Sequence, residues 1–399
     1  MAEDQSLALM LRDGLFLKDA KGWTTSALGR ASTLNWPYPS TIRGALRTAW
    51  GLEQEGKHGG KLWEAQDWLT HTEPLRLTAM LPLRRARSGD KWDITHRMWP
   101  APSDAYVVKG EVVPHYLTPT APADGLGSLG IGEDPALEAL WHVRPPEAIG
   151  KDKPGKPPVW WTEAEFVAWL CGEQGIRFAE RTRDVPARDQ VHVTIKSDTG
   201  TAADSQLYGT RVIEPLDALG NEWAVGVRVR WPAPLSATPH KLKPISAGGK
   251  RRLIYPEVAT LWDMPTKLKD AFKKAPQGLR IILATPAEFA QGWLLDGFTA
   301  QGTEYRGKLP GLHAELILRA ACVPRPVHVS GWDMAARDGK GAPKPTRRLV
   351  PAGAVYFFER ADNQPFTEAD AQALWCAQVG QHREDGQGVI VPGIWHPKH

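Results

Sequence analysis

Apolar positions along the chain change period from two to about 3.6 and back, and those changes mark the elements. The C-terminal third is the clearest. Leu279 to Leu283 is a run of strand length. Pro286 then opens a stretch with Phe289, Ala290, Trp293 and Leu294 on one face, which predicts a helix. Ala314 to Ala321 and Ala354 to Phe358 are two further strand-like runs. Thr367 stands where a cap belongs, ahead of Ala371, Leu374 and Trp375 at helical spacing. Gly388 to Val391 closes as a strand. The order β-α-β-β-α-β is that of the split βαβ, ferredoxin-like unit.

The N-terminal part reads the same way, with interruptions. Leu7 to Leu17 is strand material. Ser40 to Trp50 predicts a helix with Ile42, Ala45, Leu46, Ala49 and Trp50 on one face and Gly51 past its end. Leu75 to Leu81 and Ala105 to Val108 have strand character, and Thr162 with Glu165 forms a capping box ahead of Phe166, Val167, Trp169 and Leu170. Trp223 to Trp231 alternates cleanly. The fold class expected is α+β: two ferredoxin-like (RRM-like) domains, residues 1–277 and 278–399. The first carries insertions at 109–160 and 180–222. Gly150 to Pro158, with three lysines and three prolines, is an exposed loop.

Composition narrows the class. With 42% apolar and 24% charged residues the chain can build a core. The 38 glycines and 34 prolines exceed the usual ~12% and predict long loops. A net charge of +4, from 49 Lys+Arg against 45 Asp+Glu, is too mild to argue for a polyanionic partner, so local clusters must do so. Three distant cysteines, Cys171, Cys322 and Cys376, support neither a zinc ribbon nor a disulfide framework and fit a reducing, cytoplasmic setting. No secretory signal or membrane-length apolar run is evident.

Four clusters carry candidate chemistry. On the Ser40–Trp50 helix, Arg43 and Arg47 stand at i and i+4 and repel by about 0.2–0.5 kcal/mol. An anion between them would reverse that cost, and Ser40, Thr41 and the helix start add donors. The blander reading is a solvated face. His192 to Tyr208 reads as a strand, a turn at Asp198-Thr199-Gly200, and a return strand. With Lys196, Thr199 and Thr201 near its tip, such a finger can clamp a backbone or remain a plain surface hairpin. The stretch His240 to Arg252 holds Lys241, Lys243, Lys250, Arg251 and Arg252 and no acid. Its Gly248-Gly249 pair would let a phosphate approach backbone amides, or simply turn a solvated loop. The Pro/Gly-rich link from Val329 to Glu359 places Lys344, Arg347 and Arg348 ahead of an aromatic strand. Gly386-Gln387-Gly388 alone is weak.

For catalysis the yield is poor. His192, His313 and His328 are candidate general bases for RNA cleavage, each more simply a bonded strand residue. No HExxH, DxD or GxSxG occurs, and no metal or cofactor site is expected. The 18 tryptophans can stack on bases, although most suit a core.

In their order along residues 35 to 360, these segments together resemble subunit three of the Cmr effector complex, the type III-B CRISPR ribonucleoprotein of the RAMP superfamily. The carriers are Pro39 to Thr48, His192 to Tyr208, Gly248 to Arg252, Ala284 to Trp293, and Val329 to Glu359. The resemblance implies two ferredoxin-like domains and no nuclease activity. It implies binding of the 5′ tag of the guide (crRNA), docking on the large Cmr subunit with cyclase-type domains, and contact with the adjacent backbone RAMP subunit. Target RNA would be met only indirectly. By that likeness Ser40, Thr41, Arg43 and Arg47 would hold tag phosphates. The hairpin with His192, Lys196, Thr199 and Thr201 would resemble the superfamily's thumb. The loops with Lys243, Lys250, Arg251 and Arg252, and with Lys344, Arg347 and Arg348, would line the RNA groove. Two departures add charge: Lys196 stands where the family often has Asp, and Lys250 where it usually has Glu. The alternative is a metal-independent RAMP endoribonuclease that processes precursor guide RNA.

Overall fold

The computed structural model describes residues 4–18, 33–87, 89–122, 134–180, 183–232, 243–249, 251–333 and 341–397. The first half holds β1 (Asp4–Leu11), β2 (Leu15–Phe16), α1 (Pro39–Lys57), α2 (Ala65–Thr72) and β3 (Arg76–Arg85). After an insertion come α3 (Glu163–Leu170), β4 (Ala187–Ile195), β5 (Ala202–Ile213), β6 (Glu222–Arg230), β7 (Ile245–Ala247), β8 (Arg252–Val258) and α4 (Thr266–Phe272). The second half holds β9 (Gly278–Leu283), β10 (Phe298–Gln301), β11 (Glu304–Gly307), β12 (Leu316–Cys322), β13 (Val327–Val329) and β14 (Arg347–Leu349). It ends with β15 (Val355–Arg360), α5 (Glu368–Leu374), β16 (Ala377–Gln378) and β17 (Val389–Trp395).

Two antiparallel sheets organise these elements. The first runs β7-β8-β1-β6-β3 and the second β10-β11-β12-β15-β9-β17-β16. Within each, four strands share one arrangement: the first and third lie side by side, with the fourth outside the first and the second outside the third. In the first half these are β8-β1-β6-β3, in the second β17-β9-β15-β12. Leu9, Val225 and Val227 on one sheet, and Ile281, Val355 and Val391 on the other, are fully buried, as the apolar runs require.

Each half carries one of the two helices a split βαβ unit would have. The first connects β1 to β3 through α1. The second connects β15 to β17 through α5, whose cap Thr367 accepts from the Asp370 amide at 3.2 Å. The helix expected from Pro286 to Leu294 does not form. Ala287 exchanges backbone hydrogen bonds with Val350, and the Glu288 carbonyl accepts from the Gln381 amide at 2.9 Å. Backbone groups tied to neighbouring strands cannot also close helical turns, while Phe289 and Leu294 still bury.

The first half supplies what the second half lacks. Its α3, closed by the expected capping box of Thr162 and Glu165, packs on β17. So does α4, which also meets α5. Trp99, Trp161, Phe166 and Trp169 belong to the same buried cluster as Leu279, Phe357 and Trp395. The strands of the two sheets come from before and after residue 277, but packing does not follow that split: residues between Trp99 and Phe178 share a core with the C-terminal sheet.

Candidate RNA interface

The helix α1 starts at Pro39, whose ring suits the first helical position, and buries Ile42, Leu46 and Trp50. It continues through Gly51 to Lys57, past the expected end. Ser40 and Thr41 are half-buried in its first turn, and the Thr41 amide donates to Tyr38 O at 3.0 Å. That turn sits at the seam between the halves. A groove of about 500 Å³ opens there, with Trp36, Tyr38, Lys156, Trp160 and Thr285 among its walls. Trp36 and Trp160 meet edge to face at 5.9 Å.

The expectation for Arg43 is corrected. Arg43 is 5% exposed and does not lie on a solvated face. Its guanidinium donates to Leu75 O (2.8 Å), Glu73 O (2.7 Å), Glu73 Oε1 (3.1 Å) and Asp385 Oδ1 (2.9 Å). Arg47 pairs with Glu73 Oε2 at 2.8 Å and donates to Thr72 Oγ1 at 3.0 Å. An anion does lie between the two arginines, and it is Glu73. Arg43 therefore joins α1 to the turn at Asp385, with four of its five N–H groups committed to protein acceptors.

The finger formed by β4 and β5 is a long antiparallel hairpin, with its turn at Asp198-Thr199-Gly200 as expected. Lys196, Thr199 and Thr201 are exposed at the tip, where the two threonine hydroxyls meet at 2.8 Å. His192 is held by Thr210 Oγ1 at 2.9 Å. Val191, Val193 and Ile195 are exposed on alternate positions of β4. At the finger's root β5 pairs with β2. There Phe16 O accepts the Gly249 amide at 2.8 Å, so that amide is committed to the protein and the expected phosphate nest is not built from it. Gly248 has φ +66, and a Cβ there would fall 2.5 Å from Phe16 O. The double glycine thus lets the loop lie against β2. Lys243 and Arg251 are exposed and Arg252 half-buried. His240, Lys241 and Lys250 lie outside the described residues.

The strands β13 and β14 form an arm. Lys344 is exposed, while Arg347 is paired with Glu288 at 3.1 Å. Arg348 faces a different groove, walled by Trp141 and Trp293. Glu288 also lies 3.6 Å from His382, which lies 3.5 Å from Glu384. His382, Glu384 and Asp385 are close enough to share a cation, but Asp385 already answers Arg43.

The candidates thus gather in two groups joined through α1. On one side α1 packs against β7, at the start of the 243–252 loop and beside the finger root. On the other, Arg43 reaches the 381–385 turn and, through Glu288, the arm. Sequence reasoning missed Glu73, Glu288 and Asp385, because their partners are set by tertiary contacts at long range. It also left Lys156, Trp36 and Trp160 unassigned. The composition around Lys156 showed exposure, but nothing local showed its nearness to α1.

His192, His313 and His328 stand on separate elements: the finger, the turn before β12, and the arm. Burial pushes the thiols of Cys171 and Cys376 up to about 11, so both are protonated at neutral pH. No helix among the described residues is long and apolar enough to cross a membrane.

A family model described as CRISPR-associated protein (Cas_Cmr3) matches residues 8–395. No curated protein matches the chain. Solved structures similar to it include a chain from the cryo-EM structure of the Type III-B Cmr-beta bound to cognate target RNA and AMPPnP. That chain is 12% identical, with 88% of this chain and 86% of that one covered and a TM-score of 0.43. A chain from the same complex bound to cognate target RNA is also 12% identical, with 90% and 86% covered and a TM-score of 0.39.

Proposed function

We propose a function from one premise: the chain belongs to the CRISPR-associated Cas_Cmr3 family, whose model spans nearly its whole length. It acts as a non-catalytic, RNA-binding subunit of a type III-B Cmr ribonucleoprotein in antiviral defence, within the cytoplasm. It grips the 5′ tag of the crRNA, docks on the large Cmr subunit with cyclase-type domains, and meets the adjacent backbone RAMP subunit. The shared strand order of the two sheets supports reading each half as a ferredoxin-like unit, with the chain dividing at 277/278.

One observation carries the RNA reading: α1 links two groups of exposed cationic turns. Lys196, Lys243, Arg251 and Lys344 would neutralise phosphates at separate points along the strand, and Ser40 and Thr41 would donate at the helix start. An unpaired base would enter the seam groove beside Trp36 and Trp160, where its faces meet indoles. Arg43 and Arg347 support this surface through their carboxylate partners.

The assembled complex should bind tagged guide RNA more tightly than untagged guide. Changing both Lys243 and Arg251 to Ala should weaken binding. It should also flatten the dependence of log K on log salt by roughly 0.7 per lost phosphate contact. Equal affinity for both guides would reject tag recognition, and an unchanged slope would remove this loop from the interface.

A further inference from the structure

The groove beside the arm belongs to none of the surfaces assigned above. It encloses about 680 Å³, within the usual range for a binding site. Its walls come from four stretches of the chain, one of them Arg348 to Val350 at the end of β14. Leu137 to Val143 belongs to the insertion, Trp293 to the turn after β9, and Val323 and Pro324 to the exit of β12. The wall is held in place: Trp141 lies edge to face with Trp395 at 5.9 Å, and Arg319 sits over its ring at 5.5 Å. Tyr356 Oη donates to Trp293 O at 2.6 Å.

Among the lining residues one is charged, Arg348. Its neighbour Arg347 is neutralised by Glu288, whereas Arg348 has no acceptor among the described residues. It stands exposed on β14, opposite His328. One cation beside an apolar cleft can hold one phosphate, whereas RNA brings a phosphate with every nucleotide; at the seam groove Lys156 is joined by Ser40 and Thr41 at the start of α1, and this groove has no such donors in its lining. It suits a peptide that fills the cleft with apolar side chains and places one carboxylate on the guanidinium.

We propose that this groove docks a short apolar segment carrying an acidic residue, contributed by a neighbouring protein subunit. This rests on the reading of the chain as a subunit of a larger ribonucleoprotein. Affinity would come from apolar anchors, and the carboxylate would fix the segment's register.

The test uses the whole complex, with benzoylphenylalanine replacing Val143 in one preparation and Val323 in a second. On irradiation, both positions should crosslink to a protein subunit, at a stretch where an apolar residue lies within four positions of Asp or Glu. Arg348→Glu should lower the yield at least tenfold, and Arg348→Lys should keep most of it. Crosslinking to the guide RNA, or to a segment without an acid, would overturn the proposal. So would a yield indifferent to Arg348→Glu. A complex that assembles around this chain and holds RNA, yet gives no crosslink at either position, would remove the docking site and leave the subunit reading intact. A complex that never incorporates the chain would remove both.

Discussion

Replacing Arg43 by alanine removes four hydrogen bonds at once and leaves the carbonyls of Glu73 and Leu75 without their donor. The expected cost is about 2–4 kcal/mol, read as a lower denaturation midpoint. If Arg43 is structural, the salt slope of RNA binding should not change in the folded fraction. A slope that falls with intact stability would put the guanidinium back on a phosphate. The charge pair at i and i+4 was legible in the sequence, and so was the need for an anion between its members. That the anion is a carboxylate 30 residues from Arg43 was not, since α2 has to fold back before Glu73 can arrive. Asp217 makes a second case. Burial pushes its carboxyl up, but bonds from Asn221, Arg84 and Trp223 outweigh this and hold it at about 2. A carboxyl depressed in the folded state adds stability that is full above its unfolded value of ~3.9 and is lost as pH falls through the folded value. Wild type should therefore lose stability between pH 5 and pH 2 through this group, by well under the ~2 kcal/mol of an unscreened pair, since solvent screens a carboxylate this close to the surface. Asp217→Asn should show a shallower decline over that window in acid denaturation followed by circular dichroism.

Within α1, Gly51 shows how packing overrides a local signal. Glycine after an apolar face ordinarily marks a helix end, yet here the helix runs on to Lys57. An added Cβ would come within 2.4 Å of the Trp68 ring, so the glycine serves the close approach of α2. On propensity alone Gly51→Ala should stabilise a helix by about 1 kcal/mol. The contact predicts the opposite sign, a loss of about 1–3 kcal/mol from overpacking. Urea denaturation decides between them, and the pair Gly51→Ala with Trp68→Ala should recover part of the loss. The same competition explains which elements were legible. The strands β6, β9 and β15 and the caps of α3 and α5 follow from alternation and side-chain chemistry within a few residues, and they appear where expected. The helix from Pro286 had the right period and still failed, because Val350 and Gln381 claim its backbone from outside the segment. The finger was legible as a hairpin, but its rooting on Phe16 was not.

Across the whole molecule, one buried ion pair ties the stretch from Trp99 to Phe178 to the second sheet. Arg280, 1% exposed on β9, meets Asp104 at 2.5 Å, and its guanidinium also donates to Trp169 O at the end of α3. Trp169 Nε1 donates to Asp104 Oδ1 at 2.9 Å, and Tyr116 stacks on the Trp169 ring. A second latch lies nearby: Arg97 bonds Glu163 in α3 and the carbonyls of Leu261 and Asp263 ahead of α4. Two charges taken out of water are costly, so the pair adds little net stability over an apolar match, but losing one partner strands the other. Asp104→Ala and Arg280→Met should each cost about 3–5 kcal/mol, and the double variant well under their sum, which a double-mutant cycle would show. The more telling measurement is where the damage appears. If α3 and α4 complete the helical layer of the second sheet, amides of Trp160–Leu170 should lose hydrogen-exchange protection together with those of β9 and β17. The edge strands of the first sheet should keep theirs. Loosening confined to residues 99–178 would mean that the second half stands without that stretch. The surfaces walled by both, including the groove at Trp141, would then not be rigid enough to recognise a partner.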